Sequence, residues 1–288
     1  RPGEAFYVVD TETGGCVAPF AALNDDPLAT YETRHGLGYS VFTSQHADLA
    51  IEVTQTVAKA EPAKLSRLRL TNTGKTKSSY RILGLTEWVL GNNPARSAPF
   101  VLSSYDEASG ALLATNPYDL QYPGRTVFFA GPDNPESFTA SRREFIGRNG
   151  NIRAPLAVHQ SASLSGTIES DGDPCAALAF TIELKAGETR DLVFLLGETE
   201  TAEEAGKLIA SLRQQSFDDM LNATRSHWAA RTGKLHVETG DKAFDNLVNH
   251  WLPYQALGCR ITARAGFYQA SGAFGFRDQL QDTLAFLA

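Results

Sequence analysis

The residues best suited to chemistry lie near the end of the chain, in Phe267-Tyr268-Gln269-Ala270-Ser271-Gly272-Ala273-Phe274-Gly275-Phe276-Arg277-Asp278-Gln279-Leu280-Gln281-Asp282. Aromatic faces there can stack on sugar rings, and the glycines let backbone approach a ligand closely. A helix starting near Arg277 puts Asp278 and Asp282 on one face at i, i+4, with Arg277 and Gln281 paired likewise. An Arg donor beside an Asp acceptor can orient a hydroxylated ring. Tyr268, Gln269, Arg277, Asp278 and Gln281 are therefore the candidate substrate-binding residues. The plainer reading is a helix N-terminus, with Asp278 favouring the dipole and Arg277 in solvent.

A second cluster, Tyr31-Glu32-Thr33-Arg34-His35-Gly36-Leu37-Gly38-Tyr39-Ser40, sets a His between an Arg and Gly-x-Gly. Arg34, His35 and Tyr39 can contribute a loop to a ligand, or the segment is a β-turn. Its Gly-x-Gly is too short for a nucleotide fingerprint. A third cluster, Arg142-Arg143-Glu144-Phe145-Ile146-Gly147-Arg148-Asn149-Gly150, can bind an anion, but reads better as a surface hairpin turning at Asn149-Gly150. Glu87, beside Trp88 in an apolar strand, needs a buried partner. The sequence has no metal-ligand spacing and no Gly-x-Ser-x-Gly elbow, so neither a metal nor a serine nucleophile is expected.

These clusters need elements to hold them, and the hydrophobic period supplies two kinds. Up to about Gly197 the chain reads as strands. Ile51, Val53, Gln55 and Val57 share a face, as do Ser66, Leu68 and Leu70 before the turn Asn72-Thr73-Gly74. Tyr80 to Leu90 is apolar on both faces, which suits a central strand. Leu178, Phe180, Ile182 and Leu184 form a strand, and the turn Ala186-Gly187-Glu188 leads to Leu192, Phe194 and Leu196 as a hairpin. The architecture implied is a sandwich of two sheets over residues 1–197.

After Gly197 the period becomes helical. Thr201 and Glu204 form a capping box ahead of Ala205, Leu208, Ile209 and Leu212. A second helix opens at Ser216-Phe217, carries Leu221, Thr224 and Trp228 on one stripe, and ends at Gly233. These two helices read as a linker over residues 198–236. From 237 to 288 two more amphipathic helices follow. One starts at Asp241 with Phe244, Leu247, Val248 and Trp251 on its stripe and is disturbed by Pro253. The other starts at Phe276 or Arg277. Both need helical partners. Arg1-Pro2-Gly3 and the closing apolar pattern read as cuts in a longer polypeptide.

A net charge of −7, with basic residues scattered, argues against nucleic acid and suits a neutral substrate. Cys16, Cys175 and Cys259 are too far apart for a disulfide framework or zinc site, and predict free thiols in a reducing, cytoplasmic compartment. No apolar run approaches the roughly 18 residues of a membrane span, and no signal peptide is visible.

Five segments carry a resemblance over nearly the whole chain: Tyr31 to Tyr39 (YETRHGLGY), Glu87 to Gly91 (EWVLG), Phe145 to Gly150 (FIGRNG), Asp173-Pro174-Cys175 (DPC) and Phe267 to Asp282 (FYQASGAFGFRDQLQD). Together they resemble glycoside hydrolase family 94, the inverting glycoside phosphorylases. Within it the likeness is to the phosphorylase-like C-terminal region of cyclic β-1,2-glucan synthases, with soluble β-1,2-oligoglucan phosphorylases as relatives. The resemblance implies a mainly β fold: an N-terminal mutarotase-like β-sandwich (supersandwich), a two-helix linker and the first helices of a truncated (α/α)6 barrel. It implies a β-glucan oligosaccharide as substrate, inorganic phosphate as co-substrate and no cofactor. It also implies a homodimer, with membrane association only through parts of the full-length protein outside this chain. Phosphate attacks the anomeric carbon while one carboxylic acid protonates the glycosidic oxygen on the other side, so no second catalytic carboxylate is needed. The family pattern gives Arg277 and Asp278 the non-reducing-end glucose and places the general acid in a later barrel loop, so the chain alone is expected to be inactive. Gly272 stands where cellobiose-type members carry an Arg, which favours the β-1,2 branch. The alternative is a non-catalytic carbohydrate-binding or dimerisation module. A mutarotase-like epimerase lacks a clear His pair.

Overall fold

The computed structural model describes residues 3–23, 28–91, 93–120, 123–160, 162–170, 172–234 and 236–258, with 277, 280, 281 and 284 beyond them. Two compact units emerge: Arg1–Arg34 with Ser40–Met220, and His35–Tyr39 with Leu221–Ala288.

The first unit is built of strands. In chain order they are β1 (Glu4–Asp10), β2 (Cys16–Val17), β3 (Thr30–Gly36), β4 (Tyr39–His46), β5 (Leu49–Val57), β6 (Ala63–Asn72) and β7 (Ser78–Glu87). Then come β8 (Leu102–Asp106), β9 (Ala111–Thr115), β10 (Thr126–Ala130), β11 (Ser137–Ser141), β12 (Pro174–Leu184) and β13 (Thr189–Thr199). Among the described residues they make a five-stranded sheet, β11-β12-β7-β1-β2, and an eight-stranded one, β3-β4-β5-β6-β13-β10-β9-β8. Neighbours run antiparallel throughout the smaller sheet and from β5 to β8 across the larger.

The main core draws Phe6, Tyr80, Ile82, Leu178 and Phe180 from the smaller sheet and Ile51, Val53, Leu68, Leu70, Phe129 and Phe194 from the larger. A second core joins Tyr7, Leu83, Leu85 and Cys175 to Phe145, Ile146 and Val158. The smaller sheet is therefore buried on both faces, which explains why β7 is apolar at odd and even positions alike. The central-strand expectation for Tyr80 onward holds, although the strand stops at Glu87.

Three expectations are corrected. The strands around Gly187 are not a hairpin. β12 pairs with β7 and β11, while β13 pairs with β6 and β10, so residues 185–188 arch from one sheet to the other. A hairpin would set the two apolar rows side by side. The arch sets them facing, with the Phe180 and Phe194 rings edge to face at 5.7 Å. Asn72 laces this arch to the one after β6: its Nδ2 donates to Thr76 O (2.8 Å) and Leu184 O (3.0 Å).

Arg142 to Gly150 is also not a hairpin. It opens with a short helix, α2 (Arg142–Ile146), capped by Ser141, whose Oγ accepts from the Glu144 N–H. Ser-x-x-Glu is a helix-start pattern, and here it outcompetes the Asn-Gly turn. Gly147 ends the helix at φ +94°, a value that favours glycine.

In β5 the alternation fails after Val53: Thr54 and Thr56 are buried and Val57 is exposed. The outer face is covered there. Arg67, opposite Thr54, is buried, lies 4.4 Å from the Phe217 ring centroid, and donates to Asp218 at 2.8 Å. Both partners sit in the first turn of a later helix.

The helices after β13 follow the pattern read from the sequence. α4 (Ala202–Gln214) begins at Thr201, whose hydroxyl accepts from the Glu204 N–H. α5 (Phe217–Thr232) stops before Gly233. α6 (Lys242–Asn246) starts at Asp241, whose carboxylate accepts from the Ala243 and Phe244 N–H groups. A π-helical turn, Leu247–Trp251, follows, and then α7 (Leu252–Gln255). The apolar stripe, which needs helical partners, is not buried among the described residues. Phe244, Leu247 and Trp251 are exposed, and Asn249 is buried instead. Its amide accepts from Val237 N and donates to Val237 O, both at 2.8 Å.

Cys16 and Cys175 are free thiols; Cys259 lies outside the described residues. Burial pushes the Cys16 thiol from 9.0 up to about 11. At about pH 8 its thiolate population is then about 100-fold below that of an ordinary thiol. Residue-mapped alkylation by iodoacetamide should be slower at Cys16 than at a free-cysteine peptide by about that factor. A rate within threefold of the peptide would contradict the burial.

Candidate functional site

The hairpin joining β3 and β4 turns at Leu37-Gly38, with Gly38 at φ +79°. A Cβ on Gly38 would fall 2.5 Å from Trp228 Cδ1 and 2.7 Å from Thr224 Cγ2, so only glycine lets the turn approach α5 this closely. This apposition brings Tyr39 beneath Arg225, whose guanidinium carbon lies 4.3 Å from the ring centroid.

Beside this pair is a cleft of about 320 Å³, lined by His35, Gly36, Leu37, Tyr39, Arg225, Asn246, His250 and Trp251. All belong to the second unit. Asn246 and His250 are four residues apart where α6 passes into the π-helical turn, and Trp251 follows at once. Trp251 ends a row of rings. Trp228 meets Tyr254 edge to face at 4.6 Å, and Tyr254 lies 6.2 Å from Trp251. The row steadies the indole while leaving it 40% exposed.

The cleft has two aromatic surfaces, an amide, two imidazoles and a guanidinium. Such a set can stack on a pyranose and bond its hydroxyls. Among the described lining residues none carries a carboxylate.

Of the residues singled out in the sequence, His35 and Tyr39 line this cleft. Arg34 does not: it is exposed in the first unit, with Nε 3.3 Å from Glu32 Oε1. Arg277 and Gln281 are helical and exposed. Asp278, Tyr268 and Gln269 lie outside the described residues. Arg225, Asn246, His250 and Trp251 were not anticipated. Trp251 belongs in the sequence to an apolar stripe that needs helical partners, and the π-helical turn around it has no sequence signature beyond the nearby Pro253.

Three further motifs converge within the first unit. Arg142 donates through Nε to the buried Glu87 and through Nη1 to Asp173 at 3.3 Å. Glu87 also stands opposite Cys175 across β7 and β12. EWVLG, the Arg142–Gly150 segment and DPC thus form one clamp over the second core.

A β-supersandwich followed by helices, with an aromatic and polar cleft in the helical unit, defines a carbohydrate-active architecture. Residues 1–215 match the glycosyl hydrolase 94 supersandwich domain, and residues 227–288 match the glycosyl hydrolase 94 superfamily catalytic domain. The chain belongs to glycoside hydrolase family 94. It is 53% identical over 287 residues to the cyclic β-(1,2)-glucan synthase NdvB of Rhizobium meliloti (strain 1021), covering 100% of this chain and 10% of that protein. It is 29% identical over 291 residues to the 3-O-β-D-glucopyranosyl-β-D-glucuronide phosphorylase of Paenibacillus borealis, covering 98% of this chain and 36% of that one. The chain thus spans about a tenth of the first relative's length and about a third of the second's. In fold it is similar to a bacterial glucoamylase complexed with acarbose, with a TM-score of 0.60 and 8% identity over 88% of this chain and 34% of the other. No helix among the described residues is long and apolar enough to cross a membrane.

Proposed function

We propose that the chain is the sugar-binding part of a cyclic β-1,2-glucan synthase, within its phosphorylase-like region. The observation that carries this reading is the 53% identity to NdvB over the full length of the chain. The cleft at Tyr39, Arg225 and Trp251 supports it, because its lining suits a neutral hydroxylated ring. On this reading Arg277, Asp278 and Gln281 hold the terminal glucose of a β-glucan, with Tyr268 and Gln269 beside them. Inorganic phosphate is the co-substrate and no cofactor takes part. Phosphate attacks the anomeric carbon from the face opposite the leaving oxygen, and a carboxylic acid protonates that oxygen. A β-linkage then yields α-glucose 1-phosphate. The 288 residues bind sugar without turning it over. The working protein is a cytoplasmic homodimer that meets the membrane through other parts of the polypeptide.

The test is release of α-glucose 1-phosphate from β-1,2-glucan and phosphate. The longer polypeptide should release it, and the 288-residue chain should release none above background. Turnover by the isolated chain, or none by the longer one, would overturn the assignment.

A further inference from the structure

We propose that the outward face of strands β3 to β6 is a second oligosaccharide-binding site, formed by the sandwich alone. The sheet register sets it up. Ile51, Val53, Leu68 and Leu70 point into the main core, so their neighbours Ala50, Glu52, Arg69 and Thr71 occupy the opposite face. There Glu52 stands across from Arg69, and Ala50 from Thr71. Glu32 on β3 and Gln45 on β4 extend the surface, and these six are among the eleven residues that line a cleft of about 470 Å³. That is larger than the cleft in the helical unit and within the roughly 300–1,000 Å³ usual for small-molecule sites. Ala50 lines the hollow beside Tyr31 and Ile51, so a large side chain there would fill it.

The polar groups are held before any ligand arrives. Asp191 accepts from Arg69 Nε at 2.7 Å and Nη2 at 2.8 Å, which fixes the guanidinium plane and leaves the Nη1 hydrogens to donate. The hydrogen bond to Asp191 also holds the guanidinium above its ordinary pKa. Thr54 donates to Glu52 Oε1 at 3.3 Å. Gln45 Nε2 lies 3.4 Å from both Ala47 O and Thr73 Oγ1, leaving its carbonyl oxygen to accept. Ligand groups that both donate and accept satisfy such a set, and sugar hydroxyls do both. Two carboxylates, Glu32 and Glu52, disfavour an anion, and Tyr31 adds an aromatic ring to the lining. The site lies outside the residues assigned to the reacting end of the glucan. It is fitted to hold a second stretch of the same neutral polymer.

Calorimetric titration of linear β-1,2-linked glucose oligosaccharides into the 288-residue chain tests this. Gln45→Ala should weaken binding about fivefold by removing one hydrogen-bonding side chain. Ala50→Phe, made in a Trp251→Ala background so that only the sheet site is read, should abolish binding by filling the hollow, while an unchanged melting temperature shows that the sheet is intact. Trp251→Ala, altered in the other cleft, should retain the site. Binding that survives Ala50→Phe and Gln45→Ala unchanged overturns the proposal. So does binding lost in Trp251→Ala, a result that would leave the proposed function standing.

Discussion

Glu87→Ala should lower the stability of the sandwich by about 3 kcal/mol, the largest stability loss we expect from any exposed or buried charge in the chain. The Glu87 side chain is only 7% exposed and receives Arg142 directly. Arg142 is itself 19% exposed, so its removal from Glu87 leaves a largely desolvated cation with Asp173 alone, at 3.3 Å. Breaking one member of a buried pair costs about 3–5 kcal/mol, and partial exposure of Arg142 sets the estimate at the lower end. The consequence should be a urea midpoint lower by about 1 M. Glu87→Gln, which keeps shape and one acceptor, should lose about half as much. Replacing both residues with methionine should recover part of the loss, because two apolar groups leave no stranded charge. A midpoint within about 0.3 M of the parent for Glu87→Ala would show that the clamp is dispensable.

Asp278→Ala should have the largest effect on catalysis among the residues proposed to touch substrate. In the longer enzyme, we expect kcat/KM for β-1,2-glucan to fall about 10- to 100-fold, the value of one or two hydrogen bonds to a charged acceptor. Because the carboxylate binds the sugar rather than donating the proton, much of the loss should appear in KM. Glucose 1-phosphate formation measured across glucan concentration separates the two. A variant with parental KM and kcat would remove Asp278 from the site.

The sandwich was legible because burial imposes period two wherever one face of a strand is dry. Leu68 and Leu70 show it, and so do Phe180 and Ile182. The same periodicity does not say which strand pairs with which. β12 and β13 looked like a hairpin because a turn with glycine at its centre is equally good for an arch, and the distinction rests on partners about a hundred residues away. Helix starts at Thr201 and Asp241 were legible from capping residues, whereas the equivalent Ser141-x-x-Glu144 signal was hidden by the stronger-looking Asn149-Gly150 turn. Half of the candidate cleft was visible: His35 and Tyr39 stood out beside glycines that a close turn requires. The other half was not. Arg225 looks like any solvated helix residue, and Trp251 looks like one more apolar position on a stripe waiting for a helical partner.

The order in which the strands are laid down has a consequence for synthesis. β7 pairs with β1, more than seventy residues earlier, and waits for β12, which starts at Pro174. β6 likewise waits for β13, whose last paired residue is Thr199. The smaller sheet lacks a central neighbour until Leu184 has been synthesised, and the larger sheet until Thr199. Loop closure over such distances is slow. The nascent half-sandwich must therefore persist with open strand edges, the state most vulnerable to aggregation, until its last two strands emerge together and insert into both layers.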